Sequence, residues 1–254
     1  MTEIRQAVLL LIFSAIALGQ ELPAGTVLPI MLNSGLNAAK DNPGKRLEGK
    51  VMQEVQLSSE WSIRKGSKII GHIVRVTRQG FSRPASSRRS LGFTIVLKFD
   101  NVENDGRMIP LTLALLALAS MRSVADAQIP INSTANRDPI SQWVTRQVGG
   151  DLVNRGRGKV ASSSGIWGTW LEGSSVQVKL TPNANAGCPS GAGYDREQAV
   201  WIFSSAACGT YGLDKVNIAS SGTAFPVGEI ELESSGNVVV RGGSGWLLIV
   251  APNP

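Results

Sequence analysis

Three glutamates at alternate positions, Glu229, Glu231 and Glu233, raise the question of chemistry first. Two carboxylates on one face can act as general acid and base, as in glycoside hydrolysis. Their period of two sets all three on the same face of a strand, and such a row without a cleft signature marks a solvent-facing surface. The single histidine, His72, stands within the apolar stretch IIGHIVRV (69–76), where a packed or half-exposed ring is expected rather than a base. Asp100, Glu103 and Asp105 could be read as calcium ligands, but the repeated-oxygen spacing of a calcium loop is missing. A tight turn at Asn104-Asp105-Gly106 explains them with fewer assumptions. Cys188 and Cys208 have no histidine near them in sequence, so a disulfide is expected in place of a catalytic thiol or metal centre. The chain carries no Gly-x-Ser-x-Gly elbow and no HExxH. No catalytic residue, cofactor or metal ligand is therefore assigned, and an enzyme is not expected.

Charge and aromatics leave a binding role open. Lys40 to Lys98 holds thirteen Lys and Arg against four Asp and Glu, whereas Val160 to the end holds four against seven. An exported basic surface of this kind can meet anionic glycans, lipopolysaccharide or a lipid surface; nucleic acid is not expected. Six tryptophans (Trp61, Trp143, Trp167, Trp170, Trp201 and Trp246) could stack on sugars, although most tryptophans of a β protein serve the core.

The elements that must position these groups read as strands. The 254 residues include 28 glycines, and short apolar stretches are broken by Gly, Asn and Pro. MIPLTLALLALASM (108–121) could pass for a helix, yet Pro110 and the alternation of Leu111, Leu113 and Leu115 favour a buried strand. TRQGFSRPASSRRS (77–90) reads as an exposed loop. Residues 122–164 read as a polar linker or insertion with one short helix around Ile140 to Val148. Arg5 precedes the apolar run AVLLLIFSAIAL (7–18), which ends in Ala17-Leu18-Gly19. Residues 1–19 are therefore expected to be a signal peptide, and the mature chain to be periplasmic, outer-membrane associated or secreted. Residues 20–121 are expected to form a first β part. Residues 165–254 are expected to complete it or to form a second β module.

Two further stretches carry a resemblance. LPAGTVLPIMLNSGLNA (22–38) followed by IRKGSKIIGHI (63–73) resembles the barrel domain of the TrbI-like family of type IV secretion and conjugation scaffold proteins. The matching positions are Gly25, Thr26, Leu28 and Pro29, then Pro43 and Gly44, then Lys65, Gly66, Ser67, Ile69 and Gly71. Arg64 stands where the family usually has proline. The glycines of such a motif let strands bend or backbones approach, and Ser67 is expected to tie a bulge to the backbone. The resemblance covers residues 22–120 and extends weakly to SGNVVVRGGSGWLLIV (235–250). The family's inner-membrane helix, proline-rich stretch and outer-membrane helical hairpin find no counterpart in the sequence. The resemblance implies a mainly β fold, a small barrel or sandwich with a long irregular insertion, serving as a structural protein of the bacterial envelope. Other envelope proteins and further copies of the chain are its expected partners.

Overall fold

A computed structural model describes residues 21–81, 90–131, 143–182, 188, 193–219 and 228–252. The expected signal peptide lies outside the described residues. The chain forms β1 (Val27–Leu32), β2 (Leu36–Asn37), β3 (Arg46–Val51), β4 (Val55–Gln56), β5 (Ser62–Ile63), β6 (Lys68–Phe81) and β7 (Ser90–Asn104). It continues with β8 (Arg107–Pro110), β9 (Leu113–Ala119), helix α1 (Met121–Asp126), β10 (Val144–Arg146), β11 (Leu152–Asn154), β12 (Lys159–Ser162) and β13 (Gly165–Trp170). The last strands are β14 (Val176–Lys179), β15 (Glu197–Ala199), β16 (Gly209–Tyr211), β17 (Val216–Ile218), β18 (Ile230–Ser234), β19 (Val239–Val240) and β20 (Gly245–Val250). The fold is mainly β, as expected.

Two sheets dominate. The larger runs β16-β9-β20-β1-β3-β6-β7-β18-β17, with β8 folded onto β7. Its two end strands are joined by only four residues, and Thr210 Oγ1 donates to the Val216 carbonyl across them at 2.8 Å. Near the same seam the Gly228 amide donates to the Leu113 carbonyl at 3.0 Å. The sheet thus curls until its ends meet, like a barrel, but its ladder stays open at the seam. The second sheet is a six-stranded antiparallel meander, β10 to β15 in chain order.

Burial explains the apolar runs. Strands β1, β20 and β9 are neighbours in the curled sheet and are covered on both faces. Inside the curl, Leu28, Ile30, Leu115, Leu118, Trp246 and Leu248 join one core. Outside it, Val27, Ala114, Leu116, Ala117, Leu247 and Ile249 join a second core with Val153, Val160, Val176, Val178 and Phe203 of the meander and the turn that follows it. A strand buried on both faces needs no polar alternation, which is why 113–119 reads as an unbroken apolar run. The β20–β9 register skips Leu116, since Leu247 faces Ala117 and Leu248 faces Leu115. That bulge turns Leu116 and Ala117 to the same core.

Several expectations about local structure meet a test here. Asp105 and Gly106 both take positive φ, 51° and 74°, between the paired Asn104 and Arg107. This is the two-residue hairpin turn expected. Ile230 and Leu232 face the core while Glu229 and Glu233 are exposed, so the glutamate row lies on the outer face. Residues 77–81 and 90 are not loop: β6 and β7 extend through them, and 82–89 lie outside the described residues. Of the helix expected around 140–148, residues 140–142 lie outside the described residues, and the rest holds β10 instead, whose buried Thr145 belongs to a three-residue strand too short to show a period. Much of the segment 122–164 is likewise regular, supplying α1 and the first three strands of the meander. The 164/165 boundary falls inside the β12–β13 hairpin.

Candidate functional site

Gly25, Thr26, Pro29 and Lys65–Ser67 of the Gly-Ser pattern lie toward one end of the curled sheet, while Gly44 lies at the other end of β3, its amide donating to the Ile73 carbonyl at 2.8 Å. Gly25 leads into β1 with φ 78°, and its amide donates to the Val250 carbonyl at 2.8 Å. A side chain added at Gly193 would run into the Gly25 backbone, so this contact between the two bodies admits only glycine. The buried Thr26 accepts from the Arg196 guanidinium at 3.1 Å.

Pro29 is tolerated inside a central strand for a reason visible in the register. Its carbonyl accepts from the Met52 amide at 2.9 Å, while the β1–β3 ladder begins only at Ile30↔Val51. The missing proline N–H faces Met52 as well, one residue past the end of that ladder, so no ladder bond is lost. Residues 64–67 sit beside the same end of β3. The Gly66 amide donates to the Val51 carbonyl at 2.8 Å, and the Val51 amide donates to the Ser67 carbonyl at 2.9 Å. Gly66 itself has φ 92°.

Ser67 does not tie a bulge to the backbone. Its hydroxyl donates to Asn104 Oδ1 at 2.8 Å, an atom that also accepts from the Arg64 amide at 2.9 Å. The Asn104 side chain in turn donates to the Ser62 carbonyl at 3.0 Å. One buried asparagine therefore fixes the whole 62–67 turn against the β7–β8 hairpin, and Arg64 adds an ion pair to Asp105 at 2.9 Å. Gly71 stands apart from this end. A side chain there would collide with the Lys98 carbonyl and Phe99, so it permits close approach of β6 and β7 at a register shift. Lys65 is exposed on the rim of the dock.

Two buried glutamines, Gln53 and Gln198, stitch the bodies together, and a third, Gln147, braces the meander against the turn that follows it; none of the three stands out in the sequence. Gln53 donates to the Val176 carbonyl at 2.9 Å and accepts from the Val176 amide at 3.0 Å, acting as a one-residue strand partner. Its oxygen also accepts from the Trp201 amide at 2.7 Å, where the backbone holds a positive φ of 53°. Gln198 accepts from the Val27 amide at 3.3 Å and donates to the carbonyls of Gly25 and Gly193. Gln147 donates to the Phe203 carbonyl at 2.7 Å, and the neighbouring Asp151 accepts from the Ser205 amide at 2.7 Å. The side-chain amides of Gln53 and Gln198, bonded through both nitrogen and oxygen, rigidify the junction, because each orphaned group would cost about 1–3 kcal/mol; the Gln147 side-chain oxygen, by contrast, is buried without a partner among the described residues. Their only sequence signal is a glutamine beside short apolar runs, which is indistinguishable from a surface residue.

Beside this junction opens a groove of about 650 Å³, lined by Gln53, Glu54, Gln56 and Lys65 from one body and by Leu171, Glu172, Ser175 and Gln177 from the other. Its walls offer amide, carboxylate, hydroxyl and ammonium groups with one aliphatic side chain. Such walls suit a polar, extended segment held by hydrogen bonds. Among the described residues no group of three or more His, Cys, Asp or Glu could hold a metal ion.

The other candidate groups lie away from the groove. His72 is half-exposed on β6 and pairs with Asp100 at 2.8 Å. On the same outer face Glu48 pairs with Arg46 at 2.8 Å and with Lys68 at 3.1 Å. Hydrogen bonding from Lys68 chiefly holds the Glu48 carboxyl below its ordinary value. Cys188 and Cys208 form the expected disulfide, with Cα atoms 5.9 Å apart; this bond belongs to an oxidising compartment. No helix among the described residues is long and apolar enough to cross a membrane. Of the six tryptophans, Trp201 and Trp246 are buried and Trp143 is exposed, with the others in between. Compared with known proteins, the chain matches no family model, no curated protein and no solved structure.

Proposed function

We propose that this chain is an exported, non-enzymatic structural or interaction protein of the bacterial cell envelope. In this reading the TrbI-like pattern of Gly25, Thr26, Pro29, Lys65, Gly66 and Ser67 serves architecture and assembly. The observation that carries it is the placement of those residues. Gly25 and Thr26 touch the meander directly, Lys65 lines the groove between the bodies, and Gly66 and Ser67 brace the adjoining 62–67 turn through Val51 and Asn104. The disulfide supports export. The groove beside Lys65 is the natural seat for an extended segment of another envelope protein, held by polar groups from both bodies.

A photo-crosslinking residue at Gln56 or Lys65, in cells exporting the chain, tests this directly. The expected result is one discrete adduct with an envelope protein, within a complex larger than the monomer. Recovery of only a free monomer with no adduct from either position overturns it.

A further inference from the structure

We propose that the end of the meander carrying Trp143, Arg155 and Leu171 docks on an anionic phospholipid surface. This surface meets the polar groove at Leu171, which belongs to both, and otherwise lies apart from the partner seat at Gln56 and Lys65. Four large apolar side chains lie exposed around this end: Ile129 at 57 %, Ile131 at 38 %, Trp143 at 57 % and Leu171 at 47 %. Backbone and side-chain contacts tie them into one rim. The Ile131 amide donates to the Val144 carbonyl at 2.7 Å, and the next residue back is Trp143, whose carbonyl accepts from the Arg155 amide at 2.8 Å. The Arg155 guanidinium then lies 5.7 Å over the Trp170 ring and donates to the Gly173 carbonyl, bracketing Leu171.

Cations surround this rim. Arg157 lies in the β11–β12 turn and Lys159 opens β12, and both are exposed. Of the acidic groups nearby only Asp151 is withdrawn from the surface, while Asp126 and Glu172 stay exposed. Asp126 lies 3.9 Å from Arg122, Asp151 is buried on Ser205, and Glu172 lines the groove.

Exposed tryptophan and aliphatic residues beside arginine and lysine match a headgroup boundary. There the rings sit at the interface, the aliphatic tips reach the acyl region and the cations meet phosphates. Other occupants fit less well. A second copy would bring Arg155, Arg157 and Lys159 against their own kind. A polyanionic glycan would use the ring faces and the charges but leave Ile129, Ile131 and Leu171 without a role.

The test is co-sedimentation of the exported chain with vesicles of phosphatidylglycerol and phosphatidylcholine at 30:70, against pure phosphatidylcholine, at low and high salt. Binding is expected to the anionic vesicles only and to weaken with salt. Arg157→Gln with Lys159→Gln should weaken it by about thirtyfold, at roughly fivefold per cation near the surface. Trp143→Ser with Leu171→Ser should weaken it at least tenfold while the far-ultraviolet spectrum stays unchanged, since both side chains are exposed. Equal binding to both vesicle types, or none to either, overturns the proposal. So does retention on heparin that matches vesicle binding and ignores Trp143→Ser with Leu171→Ser, which assigns the rim to a glycan. A dimer in solution that Leu171→Ser dissociates assigns it to a second copy and equally overturns the lipid reading.

Discussion

The two sheets are built on different principles. The curled sheet supports itself: its strands pair over long registers, thirteen residue pairs in β6–β7 alone, and its inner core closes on Trp246 and Phe99, whose rings meet edge to face at 6.0 Å. The meander has strands of three to six residues, one face covered by the curled sheet and the other in solvent. What it lacks in core it gains from bonds to its neighbour, through Gln53, Gln198 and the Gly25–Gly193 contact. A small sheet of this kind is a docked body, and its order depends on the surface that receives it.

The largest effect should come from the inner core. Trp246→Ala removes a fully buried ring and should cost about 3–5 kcal/mol. A urea titration followed by circular dichroism should show both sheets lost together, because the meander has no receiving face without the curl. Next comes the disulfide. Replacing Cys188 and Cys208 by serine should cost about 3 kcal/mol through a loop of this length. Denaturation with and without reductant checks that cost, with the loss falling on 193–208 before β1. Smaller again, Gly193→Ala adds a methyl against the Gly25 backbone at φ 93°, and overpacking of this sort costs about 1–3 kcal/mol. Amide exchange should rise in the meander and spare β6–β7.

The smallest effect concerns pH. Burial raises the Tyr211 phenol above its ordinary value of 10.0, and its oxygen accepts from the Cys208 amide at 3.0 Å. The stability tied to the neutral phenol is complete below about pH 10 and is lost as pH climbs through the raised value. Thermal melts between pH 8 and pH 11.5 should fall less steeply for Tyr211→Phe than for the parent chain.

The same contrast explains what could be read in advance. The curled sheet writes itself into the sequence, because a strand of six or more residues with a buried face leaves a pattern. β9 was legible from its apolar run, the β7–β8 turn from Asn104-Asp105-Gly106, and the glutamate row from its alternation. The pairing of Cys188 with Cys208 followed from there being only two cysteines. The meander was far less legible. Its first three strands bury Thr145, Val153 and Val160, one residue apiece, and one buried residue makes no period. Val153 and Val160 find their apolar neighbours in the face that Ala114, Leu116 and Leu247 present, far away in sequence. The junction was hidden for a related reason. Gln53 and Gln198 are buried by tertiary contacts 123 and 171 residues distant, and nothing local marks them. Ser67 was noticed for its hydroxyl, yet its partner Asn104 sits 37 residues away on another hairpin.

The claim that the Gly-Ser end is an architectural dock rests most heavily on Gln53. Gln53→Ala would leave the buried amides of Val176 and Trp201 without their acceptor, at about 1–3 kcal/mol each. Residue-resolved hydrogen exchange on this variant is the most direct measurement. The account predicts that protection falls across 144–203 while β1, β9 and β20 keep theirs to within the fraying of their ends. Protection unchanged in the meander, or lost equally from both sheets, would contradict it.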